Sequence, residues 1–363
     1  MLKLEPRSEP SRALALGSPL IALVLTVVIG VALFVALGKD PLRGLAMFFY
    51  EPIKDARALS ELSIKAAPLL LIGLGLSLCF RSNVWNIGAE GQFILGTIGA
   101  TGVALRASES SSSFFVVPVL LAGAAAGMLW AAVTALLRDR FNASEILVSL
   151  MLVYVAEQLL SYVVHGPWQD PQGYNFPQTI TFLAQTRVPR LALGSRANWG
   201  LVLALVSMAA FWLFMHKTHA GYRLEVGGLA PRAARYAGFS SRGALWTTLL
   251  LSGAMSGLAG ALEVSGPVGQ LTTQVPLGYG FGAIIVAFVG RLEPVGVLLS
   301  SILMSMFYLG GELSQSRLGL PKSITGVFQG LLLFSLLSCD TLINYRVRFT
   351  GLRRPERAAA EGG

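Results

Sequence analysis

The sequence contains little charge and almost no cysteine or histidine. Only 13% of its 363 residues are charged and 54% are hydrophobic, whereas an ordinary soluble domain is about 25% charged. A soluble protein of this composition would lack the polar side chains needed to cover its surface. The two cysteines and three histidines have no ligand spacing, so neither a disulfide framework nor a metal site is predicted.

Two further absences exclude classes of function. The net charge of +9 would suit a nucleic-acid-binding protein, but the basic residues lie singly between apolar runs and form no stripe. No nucleic-acid partner is therefore predicted. The sequence also contains no Gly-x-x-x-x-Gly-Lys-Ser/Thr phosphate loop and no Ser/His/Asp or Cys/His set arranged for catalysis. We therefore expect no enzyme activity, no ATP hydrolysis and no cofactor bound by this chain.

Long apolar runs predict an all-α integral membrane protein with about ten transmembrane helices. A helix needs about 20 residues to cross the hydrocarbon core. The first run follows a basic start but is too long for a signal peptide, so it is predicted to be a retained helix. The predicted organisation is a tail at 1–18, one transmembrane domain at 19–339 and a basic tail at 340–363. The predicted spans are 13–38, 66–80, 91–105, 110–137, 145–165, 197–216, 243–262, 264–290, 294–311 and 323–339.

An even number of spans places both termini on one side of the membrane. More Lys and Arg fall on that side, so the positive-inside rule predicts cytoplasmic termini in a cell inner or plasma membrane. The longest inner loop is then 216–242, and the outer loops are 38–65 and 166–197. The apolar cluster at 47–50 is too short to span, and it predicts a short amphipathic or re-entrant helix in the first outer loop.

A polar segment at 81–92 joins two short, glycine-rich runs. Polar side chains are costly in lipid, so these residues are predicted to cap helix ends or to line a cavity beside a pathway. From composition alone, an ordinary loop is an equal alternative. The candidate residues are Asn83, Asn86, Glu90 and Gln92.

Two carboxylates fall on predicted spans. Glu157 lies in the middle of its span, and Glu263 lies near an outer end. A carboxylate inside a membrane is a functional hypothesis because burying its charge costs several kcal/mol on insertion scales. The alternative for both residues is a structural hydrogen bond between helices.

The inner loop 216–242 contains the signals of a short helix. Pro231 can occupy the first turn of a helix at 232–237, and Gly238 can end it. The alternative is a basic loop that simply obeys the orientation rule. The helix would present outward Arg232, Arg235 and Tyr236.

The outer loop 166–197 is rich in proline and glycine near its start. Its residues could pack over the outer mouth of a pathway or contact an external partner, and a structural capping role is equally compatible. The candidate residues are Trp168, Asp170 and Phe176. Elsewhere, the small-residue spacings at 123–127 and 253–257 predict close contact between helices.

Several of these segments together resemble one family. The run 83–92 resembles the hallmark of permeases of ATP-binding-cassette importers for simple sugars and nucleosides, within the branched-chain amino acid and ribose permease superfamily. The resemblance continues in order over about 60–340, through the runs beginning at Gly166, Pro231, Ser252 and Gly278. The run from Gly166 is most similar to the nucleoside-importing branch.

The resemblance implies a type II importer fold and a set of partners. These are a cytoplasmic ATPase carrying ATP and Mg, a second permease that would form a heterodimer, and an extracytoplasmic substrate-binding lipoprotein. It implies that the helix near Pro231 couples the permease to the ATPase. The expected cargo is a nucleoside, and a ribose-like sugar is the alternative. An ion-coupled transporter or channel centred on Glu157 and an integral-membrane enzyme are alternatives of other classes.

Overall fold

The computed structural model describes the backbone at 2–6, 12–192, 195–275 and 277–349. The chain divides into two units, one containing residues up to 45 and from 326 onward, and the other containing 46–325. The helices are α1 (Arg12–Ala36), α2 (Pro41–Phe49), α3 (Ala56–Arg81), α4 (Ala89–Ala104), α5 (Val116–Phe141), α6 (Glu145–His165), α7 (Trp199–Lys217), α8 (His219–Leu229), α9 (Pro231–Tyr236), α10 (Ser241–Glu263), α11 (Tyr279–Val289), α12 (Pro294–Leu318) and α13 (Ile324–Asn344).

The smaller unit brings together the two ends of the described chain. Strand β1 (Leu2–Pro6) pairs antiparallel with β2 (Tyr345–Phe349), with Leu2 opposite Phe349. The rings of Phe34 and Phe328 lie 5.6 Å apart between centroids. The strand pairing places both ends of the described chain at the same end of this unit, as an even number of spans requires.

The all-α membrane fold with about ten helices is confirmed. Helices α1, α3 to α7 and α10 to α13 each overlap one of the ten predicted apolar runs. Within the described residues, six helices are long and apolar enough to cross a membrane unaided, namely α3, α5, α6, α7, α12 and α10 with the turn that follows it. Of the other four, α4 and α11 have 16 and 11 residues, and α1 and α13 are apolar over Leu20–Ala36 and Ile324–Cys339.

The prediction of a short helix at 66–80 was wrong, because α3 begins at Ala56 and has 26 residues. Asp55 caps it by accepting a hydrogen bond from the Ala58 amide at 2.7 Å. Charged residues had excluded its first turns from the predicted span, but Lys65 is paired with Glu312 at 2.6 Å. The first outer loop is correspondingly shorter than 38–65, and it contains the predicted short helix as α2.

The prediction of one continuous span at 264–290 was also wrong. The chain forms a π-helical turn at Val264–Val268, and the residues described at 269–275 and 277–278 are not helical. Gly269, which ends this turn, and Gly278, which precedes α11, have φ values of +73° and +77°, a left-handed conformation that glycine adopts without strain. Only Tyr279–Val289 is helical, so α11 is an 11-residue half-helix.

Helices α4, α5 and α10 form the tightly packed centre of the larger unit. A Cβ atom added to Gly127 would lie 2.3 Å from the Gly253 carbonyl oxygen, and one added to Gly96 would lie equally close to the Gly257 oxygen. These distances require glycine on the facing sides of the helices. The packing role predicted from the small-residue spacings is therefore confirmed.

Candidate functional site

Two half-helices meet with their N-termini inside the larger unit. Residues 82–88 leave the end of α3 without forming a helix, and α4 then begins at Ala89. The start of α11 lies against this point, because a Cβ atom added to Gly280 would be 2.2 Å from the Glu90 backbone nitrogen. Discontinuous helices of this kind commonly form the pathway of membrane transporters.

The Glu90 carboxylate joins the two helix starts. It is 2% exposed and accepts hydrogen bonds from the backbone amides of Gly278, at 3.0 Å, and Gly280. A helix N-terminus carries a partial positive charge that a carboxylate stabilises. Since Glu90 lies in the first turn of α4 and also binds the start of α11, one carboxyl group serves both N-termini.

Tyr308 and Tyr279 complete the surroundings of this junction. The Tyr308 hydroxyl donates to the Gly278 carbonyl at 3.0 Å, so the residue before α11 is held on both sides of its backbone. Tyr279 is fully buried and packs edge-on against Phe93 and Tyr308, at centroid distances of 5.9 and 5.1 Å. The start of α11 is thereby fixed by a carboxylate, a phenol and two ring contacts.

A buried amide pair closes the turn before α4. Asn86 and Gln92 exchange hydrogen bonds of 3.0 and 3.1 Å, and Asn86 also donates to Ser252 of α10 at 3.0 Å. The Asn86 oxygen accepts from the Gly88 amide as well. All three side chains are at most 1% exposed, and a buried amide is stable only when its donors and acceptors are paired.

The loop beginning at Gly166 lies along the segment that leads to α11. Backbone amides of Thr179, Phe182 and Val188 donate to the carbonyls of Leu271, Gly269 and Ser265, at 3.0, 2.8 and 2.9 Å. The Gln178 and Thr272 backbones also form a β-bridge. The loop and the stretch before α11 are therefore joined along their backbones.

The predicted residues of the outer loop occupy different environments. Trp168 packs against α4, where a Cβ atom on Gly102 would lie 3.1 Å from its ring. Asp170 closes a turn by accepting from the Gln172 amide at 2.9 Å. Phe176 is 66% exposed, next to a loop tip where Tyr174 and Asn175 both have positive φ.

The short helix predicted in the inner loop is present as α9. Pro231 occupies its first turn, and Gly238 follows it with φ of +76°. Tyr236 is 96% exposed, and Arg232 and Arg235 are also exposed. The sequence did not predict α8 just before it, which begins where the Thr218 hydroxyl accepts from the Gly221 amide at 3.1 Å.

In the described part of the chain, the three remaining candidates form none of the hydrogen bonds of the half-helix junction. Two of them are nevertheless close to it, since Glu157 interacts electrostatically with Glu90 and Glu263 with Tyr279. Asn83 is exposed, has φ of +55° and faces a cavity beside α9. Glu157 is exposed on α6, at the edge of the face that buries Val153 and Leu160, because it lies four residues after the first and three before the second. Glu263 is buried in the last turn of α10.

Three residues of the junction were not predicted from the sequence. They act through backbone amides or through a hydroxyl far along the chain, and nothing in the residue types indicates those contacts. They are Gly278, Gly280 and Tyr308.

An apolar helical bundle that buries a polar junction between two half-helices defines a multi-pass membrane transport protein. More particularly, the chain belongs to the family described as the permease component of the branched-chain amino acid transport system, whose model matches residues 58–337. It is accordingly the permease subunit of an ATP-binding-cassette importer. The family implies that ATP is hydrolysed on a separate subunit and that a substrate-binding partner exists.

Curated relatives extend over nearly the whole chain. The glucose permease protein TsgB13 of Haloferax volcanii is 32% identical over 99% of this chain and 97% of its own length. The guanosine permease protein NupP of Bacillus subtilis is 28% identical over 91% of this chain and 94% of its own. A second guanosine permease protein of that organism, NupQ, is 26% identical over 73% of this chain and 84% of its own.

Proposed function

We propose that this permease imports nucleosides. The supporting observation is the similarity to NupP, a guanosine permease that matches almost the full length of both chains. The sequence of the loop beginning at Gly166 resembles that of the nucleoside-importing branch, which also supports this proposal. A simple sugar is the second candidate, because TsgB13 is named as a glucose permease and is 32% identical. The ribose of a nucleoside is itself a sugar, so the two candidates share polar hydroxyl groups.

Transport by the reconstituted complex tests this proposal. The permease would be placed in proteoliposomes with the ATPase, second permease and binding protein encoded beside it, and uptake of labelled guanosine and glucose would be compared. ATP-dependent uptake of guanosine that excess unlabelled nucleoside suppresses and glucose does not is the expected result. If the complex took up glucose and not guanosine, the substrate would be a sugar and not a nucleoside. Uptake by this chain alone, driven by an ion gradient, would contradict the importer mechanism.

The proposed assembly contains a second, different permease. The presence of two guanosine permeases, NupP and NupQ, in one organism supports a heterodimer. In the proposed orientation both termini, α8 and α9 are cytoplasmic, with the ATPase beneath them and ATP and Mg bound there. The outer loop beginning at Gly166 then faces the substrate-binding lipoprotein.

The proposed roles of the site residues follow from their positions. Glu90, Asn86 and Gln92 hold the half-helix junction beside the pathway, and α9 couples the permease to the ATPase. In this mechanism, ATP binding moves α9, and the movement reaches the packed centre through α10, whose first residue follows α9 by only a few residues. The permease thereby alternates between outward and inward openings.

Changing exposed side chains of α9 should uncouple uptake from ATP hydrolysis. In the double variant Arg232→Glu, Tyr236→Ala, we expect uptake to fall at least about tenfold, because these groups form the contact that transmits force. ATP hydrolysis by the complex should continue. Uptake and phosphate release would be measured on the same proteoliposomes, and normal uptake per ATP hydrolysed would contradict the coupling role.

A further inference from the structure

A cavity of about 630 Å³ opens beside α9. Its walls come from the residues that follow α3, the end of α5, the start of α6, helices α8 and α9, and the start of α10. Arginine dominates its charged lining, with four guanidinium groups against two carboxylates. The charged residues are Arg138, Arg223, Arg235, Arg242, Asp139 and Glu145.

Two of the four arginines are already neutralised within the chain. Arg242 lies 2.7 Å from Asp139, whose carboxylate also accepts from the Trp246 indole at 3.1 Å. Arg138 lies 3.3 Å from Glu145. Both carboxylates of the cavity are thereby used, and they hold together the ends of the helices that form its walls.

The other two arginines retain uncompensated charge. Arg223 lies over the Phe239 ring, with its guanidinium carbon 5.4 Å from the ring centroid, and Arg235 projects from α9. Neither forms an ion pair with any residue that the structure describes. Phe239 braces Arg223 by a cation–π contact, so its guanidinium is held in position without being neutralised.

We propose that this cavity receives an acidic side chain of the ATPase subunit, bound between Arg223 and Arg235. A guanidinium pair is suited to a carboxylate because its N–H groups match the carboxylate oxygens. The cavity adjoins the helix proposed to couple the two subunits, so the inference rests on that function. Beyond the docking of α9 on the ATPase, an ATPase carboxylate would enter the permease, and its attraction to the two arginines would favour this contact.

Affinity measurements on the reconstituted permease pair test the inference. The pair would be placed in nanodiscs of phosphatidylcholine and titrated with the purified ATPase. In the double variant Arg223→Glu, Arg235→Glu, the dissociation constant should rise at least about tenfold, because two attractive contacts become repulsive. The dissociation constant of this variant should also change less with salt concentration than that of the wild type. The variant Arg223→Lys, Arg235→Lys keeps the charge but loses the planar N–H geometry, so its affinity should lie between those of the wild type and the Glu double variant.

Arg140 provides the matched control. It is exposed at the end of α5, near the cavity but not in its lining. Arg140→Glu should leave the dissociation constant within about twofold of the wild type. An equal loss in this variant would overturn the inference, because the effect would then be general electrostatic repulsion.

Two other results would also overturn the inference. One is unchanged affinity in the Glu double variant. The other is a loss that occurs only in nanodiscs containing phosphatidylglycerol, since the cavity would then bind a lipid headgroup. If the wild-type pair itself did not bind the ATPase, the proposed function would fail instead, so the two failures are distinguishable.

Discussion

Replacement of Glu90 by alanine is expected to lower ATP-driven uptake at least tenfold. The change removes the acceptor of two buried backbone amides, at Gly278 and Gly280. A buried donor without a partner costs about 1–3 kcal/mol, so the start of α11 would lose about 2–6 kcal/mol of stabilisation. It would also leave two helix N-termini facing each other without a negative charge. Uptake would be measured in proteoliposomes containing equal amounts of folded protein.

Two further variants show whether the carboxylate acts through these contacts. Glu90→Gln keeps one acceptor oxygen and should give intermediate uptake. Glu157→Ala removes the carboxylate on which the ion-coupled alternative depends. Because the described side-chain hydrogen bonds at the start of α11 come from Glu90 and Tyr308, ATP-driven uptake should fall much less than in Glu90→Ala. Normal uptake by Glu90→Ala would refute the role of the junction. Loss of uptake in Glu157→Ala would favour the ion-coupled alternative.

The junction shows how far residue types can predict this site. Glu90 and Asn86 could be identified from the sequence because polar side chains inside an apolar protein require partners. The partners themselves could not, because Gly278 and Gly280 contribute only backbone amides. Glycine in the sequence indicates close packing or a turn, and it does not indicate which carboxylate a backbone amide will bind.

The predictions of the helices failed where charge and length gave misleading signals. The α3 prediction excluded its first turns because Lys65 and Glu61 are charged, but these residues are paired with Glu312 and Arg196 at the helix surface. At 264–290, the run was uncharged and long enough to span, but Pro267 and two glycines with positive φ divide it. Apolar length therefore predicts which segments are buried, and backbone conformation decides whether they are continuous helices.

The centre of the larger unit should tolerate even a single methyl group poorly. In Gly127→Ala, the new Cβ would lie 2.3 Å from the Gly253 oxygen and 2.6 Å from the Gly257 Cα. Both contacts are with backbone, which cannot rotate away as a side chain can, so α5 and α10 must separate. Overpacking of this kind costs about 1–3 kcal/mol or more. We expect a lower apparent melting temperature of the purified protein, measured by the fraction that remains monodisperse after heating.

Gly330→Ala is the control that separates packing from helix propensity. Gly330 lies inside α13, and apart from its own helix backbone and chain neighbours no described atom lies within 4 Å of its added Cβ. Alanine favours a helix over glycine by about 1 kcal/mol, so this variant should be at least as stable as the wild type. The same chemical change should therefore have opposite effects at the two positions. If Gly127→Ala were as stable as Gly330→Ala, α5 and α10 could separate without cost, and the packed centre could not transmit the movement of α9 as a rigid unit.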